Sequence, residues 1–191
     1  MVRSFTEQPI EERTLDLVLD AARRAPSAGN AQGTDLLVLT APDARARFWD
    51  LTLPAGRREA FAWPGLLRAP VLVLPLADEA TYRARYAEAD KASSGLAALD
   101  AGDPWPVPYW LTDTAFGVML LLLAAEGEGL GALFFALGGD EGLVLEAFGV
   151  PARLKPIGVV ALGHPDGEDR PGRSATRPRR SPEQTVHHDH W

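Results

Sequence analysis

Apolar residues recur at Ile10, Leu15, Val18, Leu19 and Ala22 with charged residues between them. That spacing predicts a helix over Ile10–Ala25 that buries one face. APSAGNAQG, residues 25–33, breaks it with Pro, Ser, Gly and Asn. Two short apolar runs follow, DLLVLT at 35–40 and PVLVLPLA at 70–77. The second has no polar alternation, which predicts a strand covered on both faces. Between them, PDARARFWDLT reads as a helix opened by Pro42, and residues 53–70 as helix or loop. A further helix is expected over Glu79–Ala87 and a loop over Ala97–Pro108. The longest apolar run, Thr114–Ala125, is twelve residues long, too short to span a bilayer, so it predicts a helix buried in protein. LGALFFALGG (130–139) reads as a strand, DEGLVLEAF (140–148) as a short helix and PIGVVALGHP (156–165) as a third strand. Beyond Pro165 no period remains, and the chain becomes a polar arm. Helices and strands alternate irregularly, which predicts an α/β or α+β class, and 191 residues fit one domain with its own core.

The composition, 46% hydrophobic and 24% charged, is that of a folded protein. A net charge of −7 argues against nucleic-acid binding, which needs a basic face. With no cysteine, disulfides and thiolate chemistry are excluded. The first residues carry no apolar signal region, so a cytoplasmic protein without a membrane anchor is expected.

Several stretches are candidates for chemistry. His187, His188, Asp189 and His190 are metal-ligand types, but neighbours on an extended chain point in opposite directions, so an ordered terminus anchored by Trp191 is expected instead. GEGLG at 127–131 resembles part of a dinucleotide loop, yet it follows a helix and precedes a strand, the reverse of the required order; a helix C-cap explains it. No Gly-x-Ser-x-Gly elbow is present. The loop after the first helix offers Ser27, Asn30, Gln32 and backbone N–H groups, either to a planar ligand rich in hydrogen bonds or merely as a helix stop. Arg170, Arg173, Arg177, Arg179 and Arg180 crowd the arm, either for solvation or to grip a phosphate.

Three segments in order, AARRAPSAGNAQG, DTAFGVMLLLLAAEGEGLGALFF and RRSPEQTVHHDHW, resemble the nitroreductase family of FMN-dependent oxidoreductases. The resemblance runs from about Phe5 to Trp191. It implies an α+β fold, a mixed sheet flanked by helices, forming a homodimer with two flavin sites at the interface. The C-terminal arm, about 166–191, would be swapped onto the partner, and the apolar helix 113–125 would form the dimer core. By the family's pattern the loop residues Pro26, Ser27, Ala28, Asn30 and Gln32 reach the flavin of the neighbouring subunit. Phe135, Ala136 and Leu137 lie beside its reactive N5. Arg179 and Arg180 grip the ribityl phosphate, and Arg3 holds negative charge near N1 and the C2 carbonyl. The implied activity is ping-pong: NADH or NADPH gives up its electrons and leaves, and a small electron-poor acceptor, a nitro compound or quinone, takes them in the same slot. The aromatic WPVPYW (Trp105, Tyr109, Trp110) either roofs that slot or packs internally.

Two departures stand out. The family's Arg-Arg-Ser phosphate grip would precede Met1, so either the natural start lies upstream or the C-terminal arginines carry the phosphate alone. A basic position before the central strand falls at Ala62–Gly65, where nothing is basic. A flavin-binding scaffold of this fold without turnover is the alternative reading.

Overall fold

All eight residues of the strand Val71–Asp78 are buried, the two-sided burial its unbroken apolar run predicts. The computed structural model describes residues 1–96, 104–172 and 174–191. The strands are β1 (Thr34–Leu39), β2 (Val71–Asp78), β3 (Gly131–Phe135), β4 (Leu154–Pro156) and β5 (Val159–Gly163). They form one sheet in the order β1-β2-β5-β3, with β4 also paired to β2. Thr34 faces Ala77, Val71 faces Leu162, and Phe135 faces Val159.

Successive residues of β2 serve opposite cores. Leu72 and Leu74 join Phe5, Phe48, Trp49, Leu133 and Val144. Val71 and Val73 join Val18, Ala22, Val118, Leu121 and Ala125. Helices α2 (Pro42–Thr52) and α6 (Glu141–Ala147) therefore cover one face, and α1 (Glu12–Arg23) and α5 (Tyr109–Gly127) the other. The short α3 (Ala55–Arg58) and α4 (Glu79–Tyr86) complete the helices. Gly117 sets the closeness of the α1–α5 crossing, since a Cβ there would stand 3.1 Å from the Ala22 carbonyl oxygen.

The expected sheet flanked by helices is present, but a mixed sheet is not: every pairing among the described residues is antiparallel. The β1–β2 connection returns the chain to the end of the sheet it has just left, whereas β2 and β3, both antiparallel to β5, run the same way, so the chain between them passes to the other end of the sheet and β5 returns between them. The expected strand over 156–165 is two strands, separated at Gly158, whose φ of 149° suits only glycine. β3 stops at Phe135 because β5 offers no partner beyond Val159.

Helix α5 starts at Tyr109, earlier than its apolar run, and has 19 residues. Its length and hydropathy would let it cross a membrane; in this fold it lies against α1 and the sheet, with Gly117, Val118, Leu121 and Ala125 buried. It ends as expected in a glycine cap. Gly129 has φ 73°, the Leu130 N–H donates to Ala125 O and the Gly129 N–H to Glu126 O. The opposite face is uncovered: Phe116, Met119 and Leu123 are 51%, 54% and 59% exposed. Of the loop expected over Ala97–Pro108, residues 97–103 lie outside the described residues. Trp105 and Trp110 are buried in a cluster with Tyr82, so the packing reading holds for them.

Candidate active site

The N-terminal segment is tied down residue by residue, and this places Arg3. The Val2 N–H donates to Ala132 O on β3, the Phe5 N–H to Gly65 O and the Thr6 N–H to His164 O. Phe5 is fully buried. Gly65 permits this approach, because a Cβ there would fall 1.9 Å from Ser4 Oγ. Arg3 lines a cleft of about 220 Å³ with Trp63, Pro64, Arg68 and Arg170. Its guanidinium lies 5.9 Å from the Trp63 ring centroid, and its backbone N–H donates to Asp169 at 2.7 Å. A larger cleft of about 460 Å³, between α2 and residues 67–68, shares Arg68 with it.

Asp166 bonds two of the residues that line the cleft, Ser4 and Arg68. It accepts from Ser4 Oγ at 2.7 Å and from the Arg68 guanidinium. The Ser4 hydroxyl, then the Glu168 N–H and the Arg68 charge, hold its carboxyl below the usual carboxylate range. The stability this contributes is complete above the unfolded carboxylate value, near pH 4, and is lost as pH falls through the lower folded value. Urea midpoints measured from neutral to strongly acidic pH are therefore expected to fall less steeply for Asp166→Asn than for the parent. Identical acid limbs would show that Asp166 has the same affinity for protons folded and unfolded.

The loop after α1 takes an unusual path. Gly29, Asn30 and Gln32 have φ of 64°, 55° and 56°, and the two non-glycine residues each cost on the order of 1 kcal/mol. Side chains hold it there. Ser27 Oγ accepts from the Gln32 N–H at 3.0 Å, and Arg85 donates to Gly29 O at 2.8 Å. The buried Asp113 of α5 accepts from the Ala28 N–H at 2.7 Å and from Tyr82 Oη at 2.9 Å. Pro26, Ser27 and Gln32 border a small hollow of about 100 Å³ with Thr34 and Asp113. Asn30 is exposed, its Oδ1 accepting from Gln32 Nε2.

A model of the nitroreductase family matches residues 1–164. The chain belongs to the nitroreductase family. It is 28% identical over 194 residues to the FMN reductase (NAD(P)H) of Bacillus subtilis, covering 98% of this chain and 68% of that one. It is 29% identical over 185 residues to a Thermus thermophilus NADH dehydrogenase, covering 89% and 84%. The structure of B. megaterium NfrA2 superposes with a TM-score of 0.72 at 21% identity, covering all of this chain and 70% of that one.

In this nitroreductase the anticipated site residues fall into separate groups within one chain. Arg3 lies in the Trp63 cleft, while Pro26, Ser27 and Gln32 border the hollow beside α1 and α5. Phe135 ends β3, its ring stacked on Trp49 at 6.1 Å. Ala136 beyond it is exposed, and Leu137 packs half-buried on the core. The strand that Val2 meets at Ala132 thus ends at Phe135 about 10 Å further on, at about 3.3 Å per residue, with Ala136 next in the chain. Arg179 and Arg180 are exposed on the arm, and neither has a carboxylate partner among the described residues.

The arm itself is less uniform than its composition suggests. Asp166 and Asp169 clasp the chain's own N-terminal segment. Pro182–Gln184 form a turn closed by a Ser181–Gln184 capping box. Trp191 anchors nothing in the single chain: it is 95% exposed and stacks only on His187, at 4.1 Å. No cluster of metal-ligand side chains exists among the described residues.

Two residues of this site escaped the sequence. Arg68 is a basic residue in the cleft just before β2, a few positions after the non-basic Ala62–Gly65, and its signal was a lone arginine between apolar residues. Asp113 was visible only as the charged edge of an apolar run. The residues present fit an FMN: Arg3 and Arg68 suit the carbonyl edge of a flavin ring, and the exposed Arg179 and Arg180 suit its phosphate.

Proposed function

We propose that this nitroreductase is an FMN-dependent oxidoreductase that spends NADH or NADPH on small electron-poor acceptors, nitro compounds or quinones. The observation that carries the reading is the Arg3–Trp63–Arg68 cleft beside the sheet, in a chain matched by the nitroreductase model. The names of its relatives, an FMN reductase and an NADH dehydrogenase, point the same way. FMN, when bound, would supply the redox chemistry, accepting hydride from the nicotinamide donor and delivering two electrons to the acceptor. Arg3 and Arg68 hold the ring's polar edge and balance negative charge that builds there. Backbone around Phe135, Ala136 and Leu137 flanks the ring. Arg179 and Arg180 take the phosphate, and the 26–32 loop completes the pocket through Pro26, Ser27, Ala28, Asn30 and Gln32.

These groups do not meet within one chain, which supports a homodimer with sites shared between copies. The uncovered Phe116, Met119 and Leu123 supply an apolar face for that contact, and the exposed arm supplies a strap. A single nitroreductase domain over 1–191, working in the cytoplasm, completes the reading.

The visible spectrum of the purified protein and identification of its released chromophore test this. A yellow protein that releases FMN and oxidises NADH or NADPH when given a quinone is expected. A colourless protein that takes up no added FMN overturns the reading. FMN bound only weakly, without oxidation of either donor, selects the alternative, a flavin-binding scaffold without turnover.

A further inference from the structure

The 27–32 loop is held in its left-handed conformation by groups on two helices, and one of them is a buried carboxylate that makes no salt bridge among the described residues. Asp113 is 5% exposed. Its Oδ2 takes the Ala28 N–H and the Tyr82 hydroxyl, and its Oδ1 takes the Thr112 hydroxyl at 3.1 Å. No salt bridge reaches it among the described residues. A buried charge satisfied only by neutral donors is costly to desolvate, and deleting it leaves those donors orphaned. The neighbouring Thr114 is also buried, and its hydroxyl meets that of Thr34 at 2.9 Å, at the far end of the loop. The loop then lies on two tyrosine rings where only glycine fits. A Cβ on Gly33 would stand 2.6 Å from Tyr82, and one on Gly29 would stand 3.0 Å from Tyr86. Burial, and then the Asp113 carboxylate, push the Tyr82 hydroxyl above the ordinary tyrosine range, which keeps it a donor.

We propose that Asp113 is a positioning residue for the cofactor: with Tyr82 it clamps the Ser27–Gln32 loop onto α5 so that the loop meets flavin preorganised. The inference rests on the flavin reading above and adds a residue that contacts no flavin itself. It also explains why a charge sits at the head of an apolar helix. Three residues further along α5, Phe116 opens the uncovered face, so one helix carries both the loop clamp and the surface offered to a second copy.

The test compares Asp113→Ala and Asp113→Asn with Val118→Ala, a core truncation on the same helix that touches no loop residue in the clamp. Two quantities are read on each full-length protein: amide hydrogen exchange over residues 27–33 relative to β2, and the dissociation constant for added FMN after the resident flavin is stripped. For Asp113→Ala, loop exchange is expected to accelerate selectively and FMN affinity to fall about ten-fold or more, the loss of one or more hydrogen bonds to a charged group. Asp113→Asn keeps a carbonyl acceptor for the Ala28 N–H and is expected to restore most of both. Val118→Ala is expected to change exchange without selectivity for the loop. Tyr82→Phe, which keeps the packed ring, gives the same comparison where Asp113→Ala does not fold. Loop exchange that merely follows global stability, or FMN affinity within about two-fold of the parent, overturns the proposal. A parent protein that binds no FMN overturns the functional reading instead, and the exchange comparison still decides whether the clamp exists.

Discussion

Met119→Glu combined with Leu123→Glu is expected to yield a folded monomer that no longer retains FMN. Both side chains are more than half exposed in the single chain, on the face of α5 opposite its buried residues. The helix is apolar on every side, a pattern that belongs to an element enclosed all round. Fully burying a side chain of this size contributes about 1.5–3 kcal/mol, so Phe116, Met119 and Leu123 on two copies would contribute several kcal/mol to association. Glutamates in that contact remove the apolar gain and leave like charges facing each other without partners. Because neither position enters the monomer core, far-ultraviolet circular dichroism and cooperative unfolding should survive. The single-chain mass by light scattering, together with loss of visible absorbance after gel filtration, would be the observed pair. A double variant that still elutes with two-chain mass and bound FMN would show that α5 is not the contact. A monomer that keeps its FMN would show that the site is complete within one chain.

How much of this was legible in the chain depends on the range of the interactions involved. The helix α1 and the strands β1 and β2 follow from local pattern, an apolar stripe for α1 and unbroken apolar runs for the two strands, which any short window reveals. The start of α5 does not, because its first turn, Tyr109 to Thr112, continues the Pro- and Trp-rich stretch of the loop before it and Asp113 interrupts it ahead of the apolar run. The ends of β3 and the break between β4 and β5 are set by partners: Phe135 is the last residue with a neighbour on β5, and Gly158 turns the chain between β4 and β5. The site follows the same division. The 25–33 loop advertises itself through Pro, Gly and Asn, and two of its left-handed residues, Gly29 and Asn30, are of types that permit the conformation, while the third, Gln32, is not. Arg68 and Asp113 do not advertise themselves. Arg68 reaches Ser4 across 64 positions and Asp166 across 98, and Asp113 reaches Ala28 across 85. No local pattern encodes such pairs. The family resemblance supplied Arg3 but placed the second basic group before residue 66, where the structure offers Arg68 instead.

Replacing Arg179 and Arg180 together with alanine is expected to weaken FMN binding about a hundred-fold or more, while riboflavin binds as before. Each guanidinium on a phosphate contributes hydrogen bonds to a charged group, about 1.5–3 kcal/mol apiece. No carboxylate competes for them among the described residues, and both are exposed. The chain behind them is stiffened for the purpose: Arg180 donates to Gln184 O, and the Ser181–Gln184 capping box fixes the turn through Pro182. The comparison with riboflavin isolates the phosphate, because the two flavins share a ring and differ only in that group. Arg3→Ala should do the opposite, weakening both flavins alike, because its cleft is formed by Trp63 and Arg68 at the ring's expected edge. Added salt should erode the parent's preference for FMN over riboflavin, as screening requires for exposed charges. A double variant that still prefers FMN as strongly as the parent would move the phosphate grip off the arm, leaving Arg170 and the N-terminal segment beside it as the remaining cationic ground.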